Sequence, residues 1–155
     1  MVKKLMVGLA LVCFTGPLFA ADAFTGTWKL NVAKSKLAPG TEVKELTVVV
    51  AEQGENLVVT VNGTGGDGTP ISVKYAFPMK GGALSYTEGA PTTGATVTTK
   101  RVNATTIDGT SSVDGKEVAS AHSVVSADGK TLTRIVKSMD AQGKPYQNTE
   151  VYEKQ

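Results

Sequence analysis

From Thr27 to the C-terminus the chain alternates between short runs rich in Val, Thr, Ile and Tyr and shorter clusters of Gly, Pro and Asp. The clearest run is "PISVKYAF", which puts Ile71, Val73, Tyr75 and Phe77 on one face and Ser72, Lys74 and Ala76 on the other. A period of two is the mark of a strand with one buried face. The same reading predicts strands over Thr27–Val32, Val43–Ala51, Asn56–Asn62, Ile71–Phe77, Ala83–Thr87, Ala95–Val102, Thr105–Ser111, Lys116–Ser126, Thr131–Met139 and Gln147–Lys154. Between them "AEQGEN", "GGDGTP", "MKGG", "PTTG", "VDGK", "ADGK" and "DAQGKP" supply turn residues at hairpin spacing. No segment has a helical period, and "AKSKLAPG" allows at most one turn.

Short links make successive strands antiparallel neighbours, so the expected fold is all-β, an up-and-down meander. A long meander must hide its edges, either by closing into a barrel or by folding over as a sandwich. Sandwiches need longer crossing connections, so the expectation is a closed barrel of eight to ten strands.

The first residues read differently. In "MVKKLMVGLALVCFTGPLFAADA", Lys3 and Lys4 precede an apolar run from Leu5 to Phe14, and small residues follow Pro17. This is the layout of a signal peptide, too short to span a bilayer. Cleavage sites exist after Ala20, Ala21 or Ala23. Ala20 is preferred, giving a signal over residues 1–20 and one barrel domain over 21–155. Val12 before Cys13 argues against a lipoprotein site. The expected mature chain has no cysteine, hence no disulfide, and a periplasmic or secreted location. The full chain holds 16 basic and 14 acidic residues. Residues 1–20 contain Lys3 and Lys4 and no acid, so the remainder is near neutral. A neutral surface argues against nucleic acid or an anionic membrane as the principal partner.

"FTGTWKL" resembles the opening of the calycin barrels, the lipocalins and intracellular fatty-acid-binding proteins, whose first strand begins Gly-x-Trp. Gly26, Thr27 and Trp28 are the matching residues. "TEVYEKQ" is similar to the last strand of the fatty-acid-binding group. The Trp-Lys-Leu-Asn-x-x-Lys-Ser opening and the Ser-x-Asp-Gly-Lys-Thr-Leu-Thr stretch resemble small secreted bacterial lipocalin-like proteins, a group of uncharacterised function. The resemblance implies that Trp28 plugs one end of the barrel beside Gly26. It also implies an arginine from a late strand over the ring, for which Arg134 and Arg101 are the candidates. In fatty-acid binders the last strand carries Arg-x-Tyr on the ligand carboxylate. Glu150, Val151 and Tyr152 stand there instead, and the glutamate would repel a carboxylate unless Arg134 neutralises it, so fatty-acid binding is not expected. The two-helix lid of that group has no counterpart in the ten residues from Ala33 to Glu42.

Beyond the signal there are 17 Val and 19 Thr against six Leu, three Ile, two Phe, two Met and one Trp. Side chains this small fill a wide barrel poorly. The expected interior therefore holds a cavity for a small hydrophobic or amphipathic ligand, or else a narrow filled core. Val118, Ser120, His122 and Val124 share a face, as do Leu132, Arg134 and Val136, and Tyr146, Asn148, Glu150 and Tyr152. If these faces point inward, His122, Arg134, Glu150 and Tyr152, with Tyr75, are the ligand-binding candidates. The alternative packs Ala119, Ala121 and Val125 inside.

Other motifs carry little. "GTGGDG", Gly63–Gly68, matches Gly-x-Gly-x-x-Gly but is followed by Thr69-Pro70 and a strand rather than a helix, so it is read as a hairpin loop. The Asp-Gly pairs at Asp67, Asp108, Asp114 and Asp128 lack the alternating acids of a calcium loop and are read as turns. One histidine and no mature cysteine make a metal site, a cofactor or nucleophilic catalysis unexpected. The first reading is thus a non-enzymatic exported barrel with an interior ligand. The second is a periplasmic interaction or inhibitor module with a filled core.

Overall fold

The computed structural model describes residues 20–91 and 94–155. The export signal expected over residues 1–20, with Cys13, falls almost wholly outside them. The described chain forms one antiparallel sheet of eleven strands. They are β1 (Gly26–Leu30), β2 (Val43–Gln53), β3 (Asn56–Gly65), β4 (Pro70–Pro78), β5 (Gly81–Ala83), β6 (Ser85–Glu88), β7 (Thr96–Asn103), β8 (Thr106–Val113), β9 (Lys116–Val125), β10 (Thr131–Met139) and β11 (Pro145–Lys154). The expected meander is present, and its last strand pairs with its first, Trp28 opposite Lys154 and Leu30 opposite Tyr152.

The fifth expected strand, Ala83–Thr87, is two strands. β5 pairs with β7, Gly81 opposite Lys100, while β6 pairs with β4, Tyr75 opposite Tyr86. Leu84 lies between them, and its amide bonds the Val97 carbonyl at 2.8 Å. One continuous segment thereby joins both edges of the sheet. The backbone needs glycine here: Gly81 has φ +93°, and a Cβ would stand 2.8 Å from the Thr99 carbonyl oxygen. The Ala33–Glu42 link begins as a 3-10 turn at Val32–Lys34, capped by the Asn31 side chain, and then lies against β11. There Asn148 accepts from the Ala38 amide and the Thr41 hydroxyl.

Gly63–Gly68 is the end of β3 and its turn into β4, as expected of a hairpin. Asp108 and Gly109 are not a turn. They sit inside β8 opposite His122 and Ala121, where the strand's cross-strand bonds hold them extended.

The core gathers at one end, where β2–β3, β4–β5, β7–β8 and β9–β10 turn. Trp28, Leu57, Phe77, Val125 and Leu132 are buried there, Trp28 and Leu57 completely. Residues Asp22–Thr25 cross beneath them. Phe24 is buried, its carbonyl accepts from the Trp28 indole at 2.8 Å, and Asp22 pairs with Arg101. Trp28 is fully buried at this end, on the first strand. Neither candidate arginine covers it: the ammonium of Lys154 lies 5.0 Å from the Trp28 ring, and Arg101 packs on Phe24 at 5.3 Å. The reason is register. β11 runs beside β1 and brings Lys154 opposite Trp28, while Arg101 is held by Asp22 and the Met79 carbonyl. Gly26, at φ +136°, leaves room for that lysine; a Cβ would lie 2.6 Å from its Cε.

Candidate functional site

Above this floor the barrel encloses a cavity of about 300 Å³, at the lower end of the range of small-molecule sites. Leu46, Val48 and Val61 line one wall, and Ala119, Ala121 and Val136 the other. The hollow has a simple cause. β8 contributes Gly109 and Ser111 to the inner face, and β9 contributes Ala119, Ala121 and Ser123. Their side chains are too short to meet those across the barrel.

The inner face of β9 is therefore the alanine face. His122 points outward, half exposed, with Nδ1 2.6 Å from the Asp108 carboxylate, in a shallow outer groove with Thr110 and Lys137. It does not join the other candidates. The sequence pattern left both faces open because each carries small residues. The cross-strand pairing of Ser123 with Ile107 and of Val125 with Leu132 decides the matter.

The remaining candidates do come together. β10 and β11 set Arg134 opposite Glu150 and Leu132 opposite Tyr152. The Arg134 guanidinium donates to Glu150 Oε2 at 3.3 Å, and the Tyr152 hydroxyl donates to the same oxygen at 2.8 Å. Arg134, Tyr152 and Tyr75 line the cavity, with Glu150 set behind them; the Arg134 side chain keeps 41% of its exposure and Glu150 only 13%. Burial is the largest influence on Arg134 and opposes its charge, but the Glu150 carboxylate, the Tyr75 and Tyr152 phenols and the hydrogen bond to Glu150 together hold the guanidinium firmly protonated. Tyr152 is pushed well above the ordinary tyrosine range by burial and then by the Glu150 charge. Tyr75 is raised chiefly by burial. Both phenols thus stay neutral at physiological pH.

Aromatic rings complete one wall. Tyr75 meets Tyr86 edge to face at 5.8 Å and Phe77 at 6.3 Å. Sequence reasoning passed over Tyr86, whose short strand reads as an ordinary hairpin arm. It also passed over Asp22 and Phe24, which lie ahead of the first periodic segment. Among the described residues, no cluster of His, Cys, Asp or Glu is placed to hold a metal ion. Nor, among them, is any helix long and apolar enough to cross a membrane.

A meander barrel plugged by the tryptophan of its first strand and hollow above it has the lipocalin-like, calycin fold. Among solved structures, the zebrafish ileal bile acid-binding protein in complex with cholic acid matches it with a TM-score of 0.51 at 12% identity, over 86% of this chain and 99% of that one. No protein-family model matches the sequence, and no curated protein matches it significantly.

Proposed function

We propose that this protein is an exported, non-enzymatic carrier or sensor that binds a small, largely apolar molecule inside its barrel. The observation that carries the reading is the cavity of about 300 Å³ between a packed floor and apolar walls, with one charged side chain, Arg134, on its lining. The reading is supported by the barrel it shares with a bile acid-binding protein solved in complex with cholic acid. Export to the periplasm or medium is supported by Lys3 and Lys4 followed by the apolar run from Leu5 to Phe14.

Titration with the neutral fluorophore N-phenyl-1-naphthylamine tests the reading. Saturable fluorescence enhancement is expected for the purified protein. Ala121→Trp, which fills the cavity, should abolish it, and Val118→Trp on the exposed outer face should not. No enhancement, or enhancement that survives Ala121→Trp in a folded variant, would overturn it.

A further inference from the structure

We infer that the cavity selects an uncharged ligand bearing a hydrogen-bond acceptor, a carbonyl or ester for choice, over a carboxylate of the same size. This rests on the carrier reading and names the ligand class of the same site.

The geometry divides the polar cluster into two parts with different tasks. Glu150 already holds the positive charge: one of its oxygens accepts from both Arg134 and Tyr152. Among the described residues, Arg134 makes no second hydrogen bond, and no side-chain nitrogen or oxygen sealed from solvent lacks a partner. The unused guanidinium N–H groups therefore reach the cavity that Arg134 lines. They are donors awaiting an acceptor.

A carboxylate would satisfy those donors but would be the second anion on one guanidinium. The cluster of Arg134 and Glu150 is neutral before it arrives and carries a net negative charge afterwards, walled by valines, leucines and aromatic rings. An uncompensated charge in such surroundings is far more expensive than a neutral acceptor. Neither Tyr75 nor Tyr152 adds a positive charge to offset it. A ligand ammonium fares no better, because Arg134 fronts the cavity and Glu150 stands behind. A neutral carbonyl accepts the N–H groups, leaves the Glu150 bonds intact and brings no charge. Its apolar remainder lies against Leu46, Val48 and Val61, with the edge-to-face rings of Tyr75 and Tyr86 continuing the same wall on the next strands.

Competition at neutral pH tests this on the unmodified protein. N-phenyl-1-naphthylamine is displaced by methyl nonanoate, by its constitutional isomer decanoic acid as the anion, by decylammonium and by decane. The ester is expected to compete at about tenfold lower concentration than decanoate or decylammonium, and below decane as well. Decanoate as strong as the ester overturns the charge selection. Decane as strong as the ester overturns acceptor recognition. A fluorophore that never binds overturns the carrier reading itself, so the failures are distinguishable. In Glu150→Gln, which keeps an acceptor for Tyr152 but frees the Arg134 charge, decanoate should gain about tenfold while the ester moves little. A folded variant with an unchanged order of ligands also overturns the inference.

Discussion

The indole nitrogen of Trp28 donates a 2.8 Å hydrogen bond to the main-chain carbonyl of Phe24, four residues earlier. Both residues are buried, so the bond ties the chain's entry segment to the floor of the barrel. Trp28→Phe keeps a ring there but orphans the carbonyl and leaves a void. It is expected to lower unfolding free energy by about 2–4 kcal/mol in urea denaturation.

Asp22 and Arg101, 79 positions apart, form the second tie across the same end. Asp22 also accepts from the Phe24 amide at 3.0 Å through its other oxygen. Asp22→Asn removes the ion pair and keeps an acceptor for that amide, whereas Asp22→Ala loses both. The alanine variant should be the weaker, by about 1–3 kcal/mol relative to the parent, with asparagine in between. Equal urea midpoints for the two would show that the Phe24 amide bond contributes nothing.

Alkaline pH should unfold the barrel through its interior phenols. Tyr75 and Tyr152 are raised above the ordinary value of 10.0 in the fold, by burial first in both cases. In the unfolded chain they ionise near that value. The folded state then holds the extra protons, so their contribution is complete below about pH 10 and declines above it. Each group can remove up to about 1.4 kcal/mol per pH unit in that range. Urea midpoints at pH 8, 10 and 11 should show the decline, and Tyr152→Phe should make it shallower. A slope indifferent to that substitution would mean that Tyr152 ionises freely in the native state.

The outward pair of His122 and Asp108 is expected to do little for the cavity. Its side chains are about half exposed, where an ion pair contributes roughly 0–1 kcal/mol. His122→Ala should leave N-phenyl-1-naphthylamine affinity within about twofold of the parent. A large loss of affinity would place the ligand outside the barrel, in the groove beside Lys137.

The strands and turns were legible because alternation and glycine-bearing turns are local signals. Ile71 to Phe77 needs only its own period to find its face, and the Gly-x-Trp marks the plugged end. Two kinds of feature were not local. The break at Leu84 depends on two different strands each claiming half of one short segment, which no pattern in Gly81–Glu88 reveals. The face of β9 depends on neighbours, since one side offers Ala119, Ala121 and Ser123 and the other mixes Val118 and Val124 with Ser120 and His122, so neither is plainly the apolar side. Arg134, Glu150 and Tyr152 were found together because their strands are consecutive and alternate cleanly. His122 was misplaced by one residue of phase, which is all that separates interior from exterior in a strand.

The segment from Gly81 to Glu88 has a kinetic consequence. Because one stretch of chain supplies both rims of the sheet, the final zipping is unimolecular and leaves neighbouring molecules no long rim to recruit. Refolding should therefore proceed at a rate independent of protein concentration, and an intermediate in which Leu84 has not yet docked would be the species most exposed to strand exchange between copies.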